Sequence, residues 1–187
     1  MGLLDQLGGM LGGGDPQQAL GRIMGGNANF NDPHSQDRTA LHGMLGHASD
    51  DDLTSTFSHA ARNMDGAAYR DHVTPGVGGT DPLGGLGQGG LGAIAGALLG
   101  NLGGRSGGGT GGLLGKIPGL SHTDPNRMSS QEVAALADYT RQHHPDAFGR
   151  AAAQVGRQDP NLLQQLMGNP AMMSAAMALA SKFMSKR

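Results

Sequence analysis

The sequence predicts an all-α protein: two small helical modules joined by a Gly-rich segment that contains a short glycine-zipper-like apolar helix. Three observations carry this. Apolar residues recur at spacings of three and four through two separate alanine-rich stretches. Aspartate-proline and serine signals of the kind that start helices stand just ahead of those stretches. Between them, from Gly76 to Gly119, close to half the residues are glycine, interrupted by one apolar island, Leu91 to Gly100. The chain divides accordingly into residues 1–31 (short helices with glycine breaks), 32–75 (module one), 76–122 (glycine-rich spacer with its island) and 123–187 (module two with a Met-rich terminal helix).

The N-terminal stretch sets Leu3, Leu4, Leu7 and Met10 on one helical face, and Gly12-Gly13-Gly14 ends it. Asp15-Pro16 then offers an N-cap and an N1 proline for a short helix to Met24, closed by Gly25-Gly26. The same pair recurs at Asp32-Pro33, Asp81-Pro82, Asp124-Pro125 and Asp159-Pro160, so five of the nine prolines follow aspartate. In each, the carboxylate can accept a backbone N–H while proline wastes no donor, which marks a helix or turn start.

In module one a helix over Ser35–His47 turns Leu41, Met44 and Leu45 inward. Ser49-Asp50-Asp51-Asp52 resembles a capping box and places acidic residues at the positive end of the next helix. That helix runs to Met64 with Leu53, Phe57, Ala60, Ala61 and Met64 on one face, and Ala67–Val73 adds Tyr69 and Val73. In module two, Ser129-Ser130-Gln131-Glu132 is a capping box for a helix to His143, with Val133, Leu136, Ala137 and Thr140 inward. Pro145 starts the next, carrying Phe148, Ala151, Ala152 and Val155; Asp159-Pro160 starts a third, stopped by Gly168; Asn169-Pro170 starts a fourth, reaching Ser185. The modules resemble each other: Phe57-Ser58-His59-Ala60-Ala61 aligns with Phe148-Gly149-Arg150-Ala151-Ala152.

Composition narrows the function classes. With 3% aromatics and no tryptophan, the core must come from Leu, Ala and Met. A formal charge of −2 leaves no basic footprint for nucleic acid. Cysteine is absent, which removes disulfides and thiolate metal sites. The first residues lack a basic region and a long apolar region, so no secretory signal is expected. No apolar run reaches the roughly 18 residues that a membrane-spanning helix requires.

Three glycine-rich strings match catalytic or nucleotide motifs only in letters. Gly85-Leu86-Gly87-Gln88-Gly89-Gly90 fits GxGxxG but has no strand before it. Gly109 to Lys116 approaches a phosphate loop, yet Thr110 falls where its first glycine belongs and Ile117 stands where magnesium needs a hydroxyl. Gly104-Arg105-Ser106-Gly107-Gly108 fits GxSxG outside any strand-to-helix turn. No acid and base stand at a catalytic spacing, so the expected protein is not an enzyme and carries no cofactor.

What remains points to contact surfaces. Gly92, Gly96 and Gly100 recur every four residues, a stripe that lets helix backbones approach closely. The last helix is apolar nearly all round, with Met173, Met177, Phe183 and Met184 among its candidate interface residues. Five of eight histidines lie in module one, and His42, His47, Asp50 and Asp51 are the candidates for a weak transition-metal site.

The opening Met1-Gly2-Leu3-Leu4-Asp5-Gln6-Leu7-Gly8-Gly9-Met10-Leu11-Gly12, together with Gly90-Leu91-Gly92-Ala93-Ile94, resembles the YidB-like family of small bacterial proteins. That resemblance implies a largely helical protein and supplies no functional residue. The expectation is a helical interaction or self-assembly protein of the bacterial cytoplasm, its partner itself or another protein, with no nucleic acid bound. The alternatives are a peripheral protein on a membrane surface, using the zipper and the terminal helix, and a weak metal binder.

Overall fold

Serine and aspartate caps fix where the helices begin. The computed structural model describes residues 16–30, 32, 34–73, 83–103 and 115–185, leaving out the side chains of Pro16, Gln17, Asn169, Phe183 and Met184. The expected helix over residues 2–10, the Asp81-Pro82 start and the Gly104–Gly108 string lie outside this set, as does most of the phosphate-loop-like string. Among the described residues there are nine α-helices, one 3-10 turn and no strand.

Helix α1 spans Pro16–Met24. Helix α2, Gln36–His47, is capped by the Ser35 hydroxyl, which accepts from Arg38 N at 3.2 Å. Helix α3, Asp50–Asn63, starts on Ser49, whose Oγ accepts from Asp52 N at 3.2 Å and donates to Asp52 Oδ2 at 2.8 Å. Helix α4, Gly66–Val73, opens where Asp65 Oδ1 accepts from Ala68 N. Helix α5, Gln88–Gly103, contains the apolar island and extends beyond it at both ends.

Asp124-Pro125, expected to start a helix or a turn, opens a 3-10 turn, Pro125–Arg127. The turn ends at Met128, which is extended, and Ser129 follows as the N-cap of α6, Ser130–His143. Both halves of the expected capping box are present there. Helix α7, Pro145–Gln158, follows at once, then α8, Pro160–Met167, capped by Asp159 Oδ1 on Asn161 N at 2.7 Å. Gly168 ends α8 with φ +74°, a conformation that favours glycine. Helix α9 is Asn169–Ser185.

The two ends of the chain repeat one succession of helices. Helices α2 to α5 have 12, 14, 8 and 16 residues, and α6 to α9 have 14, 14, 8 and 17. The most extensive helix pair is α3 against α7, one from each succession. Around it the apolar helices are exchanged. Helix α5 lies on α7, α6 and the 3-10 turn, all from the C-terminal part of the chain; α9 lies on α3, α1 and α2 as well as on its neighbour α8. All the buried apolar residues form one cluster, to which the island contributes Leu91, Ile94, Leu98 and Leu99. The Gly-rich segment does contain the short apolar helix expected there, and that helix packs into the core.

Gly149 sets how closely α3 and α7 approach. A Cβ there would stand 2.7 Å from both Ser58 N and Thr54 O, and still nearer Ser58 Oγ. The side chain could turn away; the backbone atoms cannot. Phe57, Phe148, Ala61 and Ala152 are buried around this crossing.

Gly149→Ala is therefore expected to destabilise the protein by about 3 kcal/mol through overpacking. It should appear as a lower denaturant midpoint at unchanged slope, and Ser58→Ala should not rescue it. Gly100→Ala is the contrasting case: nothing lies within 4 Å of its Cβ position. It should stabilise by about 0.5–1 kcal/mol through helix propensity.

Candidate functional site

The glycine stripe of α5 is used within the chain along part of its length. A Cβ at Gly92 would lie 3.1 Å from Asn126 Oδ1 and 3.6 Å from Pro125 O; one at Gly96 would touch the Pro125 ring at 3.9 Å. The 3-10 turn thus sits on the first two glycines. Gly100, one turn further, is exposed with open space around it. The residues of α5 that are not buried are Gln88, Asn101 and otherwise only glycine or alanine: Gly89, Gly90, Gly92, Ala93, Gly96, Gly100 and Gly103.

On α9, Ala171, Met172, Ala175, Ala176, Leu179 and Ala180 are buried. Met173 and Met177, one turn apart on the same face, are half-buried. The side chains of Phe183 and Met184 lie outside the described set. Helix α9 packs on α1, whose Met24 is the one exposed large apolar side chain among the described residues.

The structure does not gather the histidines. His42 and His47 are both exposed on α2. Asp50 pairs with Arg157 Nη1, and Asp51 is exposed. His72 Nε2 meets Gln165 O at 3.0 Å, and the His143 ring lies 4.6 Å from that of Tyr139. Among the described residues, no group of three or more His, Cys, Asp or Glu side chains stands where it could hold a metal ion.

Of two polar clusters, one lies within the second half and the other ties α4 to it. In the first, Glu132 does more than close its capping box. Its Oε2 accepts from Ser129 N and Ser129 Oγ, both at 2.9 Å. Its Oε1 accepts from Ser121 N at 2.8 Å and His122 N at 3.0 Å, and meets His122 Nδ1 at 2.9 Å. One carboxylate so pins the segment before the 3-10 turn to the start of α6. Burial opposes its ionisation, but the bonds from Ser129, Ser121 and His122 outweigh burial and hold the carboxyl at about 2.

In the second, the buried Arg141 donates to Asp138 Oδ1 at 2.9 Å and lies 5.0 Å above the Tyr69 ring. Tyr69 in turn donates its hydroxyl to Leu166 O at 2.9 Å and stands edge-on to Phe148. Burial pushes the Tyr69 hydroxyl far above the usual phenol range, with Arg141 lowering and Asp138 raising it, so it stays protonated and serves as a donor. Sequence reading reached the capping box but not its bonds to Ser121 and His122, and it missed Arg141. The one local signal for the latter is the Asp138–Arg141 spacing of three residues, which also describes many surface pairs.

No known protein family, curated protein or solved structure matches the chain. Among the described residues, no helix is long and apolar enough to cross a membrane.

Glu132 gives a pH prediction. Its carboxyl is depressed from 4.5 to about 2, so its stabilisation is complete above the higher value and is lost as pH falls through the lower one. The wild type should lose at most about 3 kcal/mol between pH 5 and pH 2 through this group. Glu132→Gln should be less stable at pH 7 and show a flatter pH dependence over that interval in thermal melts.

Proposed function

We propose that this chain is a non-enzymatic helical interaction protein that assembles with copies of itself or with another protein. The observation that carries the reading is the uncovered side of α5. There Gly89 and Gly100 have nothing within 4 Å of their Cβ positions, and Gln88 and Gly103 are exposed. Such a face lets a second backbone come close, as the Pro125 turn already does at Gly92 and Gly96. Met173 and Met177 add a second adaptable surface on α9. A face of glycine and alanine offers little apolar area to a bilayer, which favours a protein partner over a membrane surface.

Light scattering on the purified chain over a wide concentration range tests this. Wild type is expected to associate, and Gly100→Leu, which fills open space without touching the protein's own core, should weaken that association. Met177→Glu should weaken it independently. A strict monomer at high concentration, unchanged by either substitution, rules out self-assembly.

A further inference from the structure

The exposed side of α7 carries a polar trench that none of the surfaces above uses. At one end a groove of about 460 Å³ runs between α7 and the start of α3, lined by Arg150, Gln154, Arg157, Asp50 and Thr54 over a floor of Ala153. At the other, a smaller hollow of about 160 Å³ is framed by His143, His144, Asn101, Asp146 and Arg150. Arg150 lines both depressions.

Arg150 is also the cation of the trench with no carboxylate partner. Its Nε donates to Asn101 Oδ1 at 3.1 Å, and no acid among the described residues pairs with it. The two acids of the trench are each paired with another arginine. Asp146 is held by Arg62 at 2.7 Å, and Asp50 by Arg157. The Asp50 pair is weak, because that carboxylate is 81% exposed and water competes for it. Arg157 also donates to Ala48 O at 2.9 Å, which keeps its guanidinium in the groove if Asp50 leaves.

Arg150, Gln154 and Arg157 fall at i, i+4 and i+7, on one face of α7. Seven residues of helix separate the two guanidinium stems by about 10.5 Å along the axis. A polyproline-type peptide repeats its side-chain direction every three residues, about 9.3 Å apart. Acidic residues three apart on such a peptide would therefore meet both arginines from one side. Gln154, which already takes a hydrogen bond from Asn101 at 3.4 Å, stands between them and can serve the peptide backbone. We infer that the trench along α7 binds an extended acidic segment of a partner protein, with Arg150 as its principal anchor and Asp50 as an internal competitor for Arg157. Two arginines about 10.5 Å apart suit a segment with spaced carboxylates, whereas a continuous phosphate backbone calls for a longer basic run.

The test is fluorescence anisotropy with the full-length protein and a labelled peptide of alternating Glu-Pro-Pro units, against the same peptide with glutamine for glutamate. A single-stranded oligonucleotide of equal charge is the third probe. The glutamate peptide should bind at low salt and weaken as salt rises; the glutamine peptide should not bind. Arg150→Gln should weaken binding about tenfold, as expected on removing a charge-assisted pair. Asp50→Asn should strengthen it several-fold by releasing Arg157. Thermal melts check that both variants fold, and Arg157→Gln is the second variant should Arg150→Gln not fold. Equal binding of the two peptides, binding unchanged in Arg150→Gln, or tighter binding of the oligonucleotide would each overturn the inference. The measurement is made at low protein concentration, so its outcome is separate from whether the chain self-associates.

Discussion

The contact on which the molecule depends is the crossing of α3 and α7, where Gly149 lies against the backbone of Thr54 and Ser58. A chain with 3% aromatic residues cannot fill wide gaps between helices. Its core is largely alanine and leucine, so its helices must come close enough for small side chains to touch. Removing the Cβ at one position of α7 achieves this, and the two buried phenylalanines, Phe57 and Phe148, sit one residue before the closest point on each helix. Ser58 Oγ is buried there with no hydrogen-bond partner among the described residues, a cost that the close packing of the two helices must offset.

From that crossing follows the exchange of apolar helices. Once α3 and α7 lie together, each presents a remaining apolar side, and these are covered by α9 and α5 respectively. Helix α5 does not cover the helices that precede it in sequence, and α9 reaches back to α1, α2 and α3. Neither succession of four helices therefore buries its own apolar surface without the other. That couples the halves into one cooperative unit and explains why the core forms a single cluster.

Much of this was legible in the sequence, and the division between legible and hidden has a physical basis. Caps act within three residues, so Ser35, Ser49, Ser129 and Asp159 announced the starts of their helices, and Gly168 announced an end. The inward faces of α3 and α7 were legible because both are amphipathic. Helix α5 was expected as a short apolar helix with a glycine stripe, but its inward face was not legible, because leucine, alanine and glycine run round it without a polar side and give no direction for packing. So the Pro125 turn as the neighbour of Gly92 and Gly96 stayed hidden. Long-range polar contacts left no trace either. Glu132 bonding Ser121 and His122 across 11 and 10 residues obeys no sequence period, and neither does Tyr69 donating to Leu166 across 97.

The shortest connection in this arrangement shows why such polar contacts are needed. Helix α4 has only eight residues, too few to persist alone in water. It buries two side chains, Tyr69 and Val73. Its position is fixed instead by a chain of specific bonds: Tyr69 to Leu166 O on α8, the Arg141 guanidinium of α6 over the Tyr69 ring, and Asp138 beneath Arg141. Gly66 belongs to the same cluster, since a Cβ there would come 3.1 Å from Arg141 Nη2. Among the described residues, α4 is the helix that precedes α5, which docks on the opposite half. Anchoring α4 to α6 and α8 therefore brings the chain to the second half before α5 begins. The entropy of placing α5 is then offset in part by bonds made upstream of it.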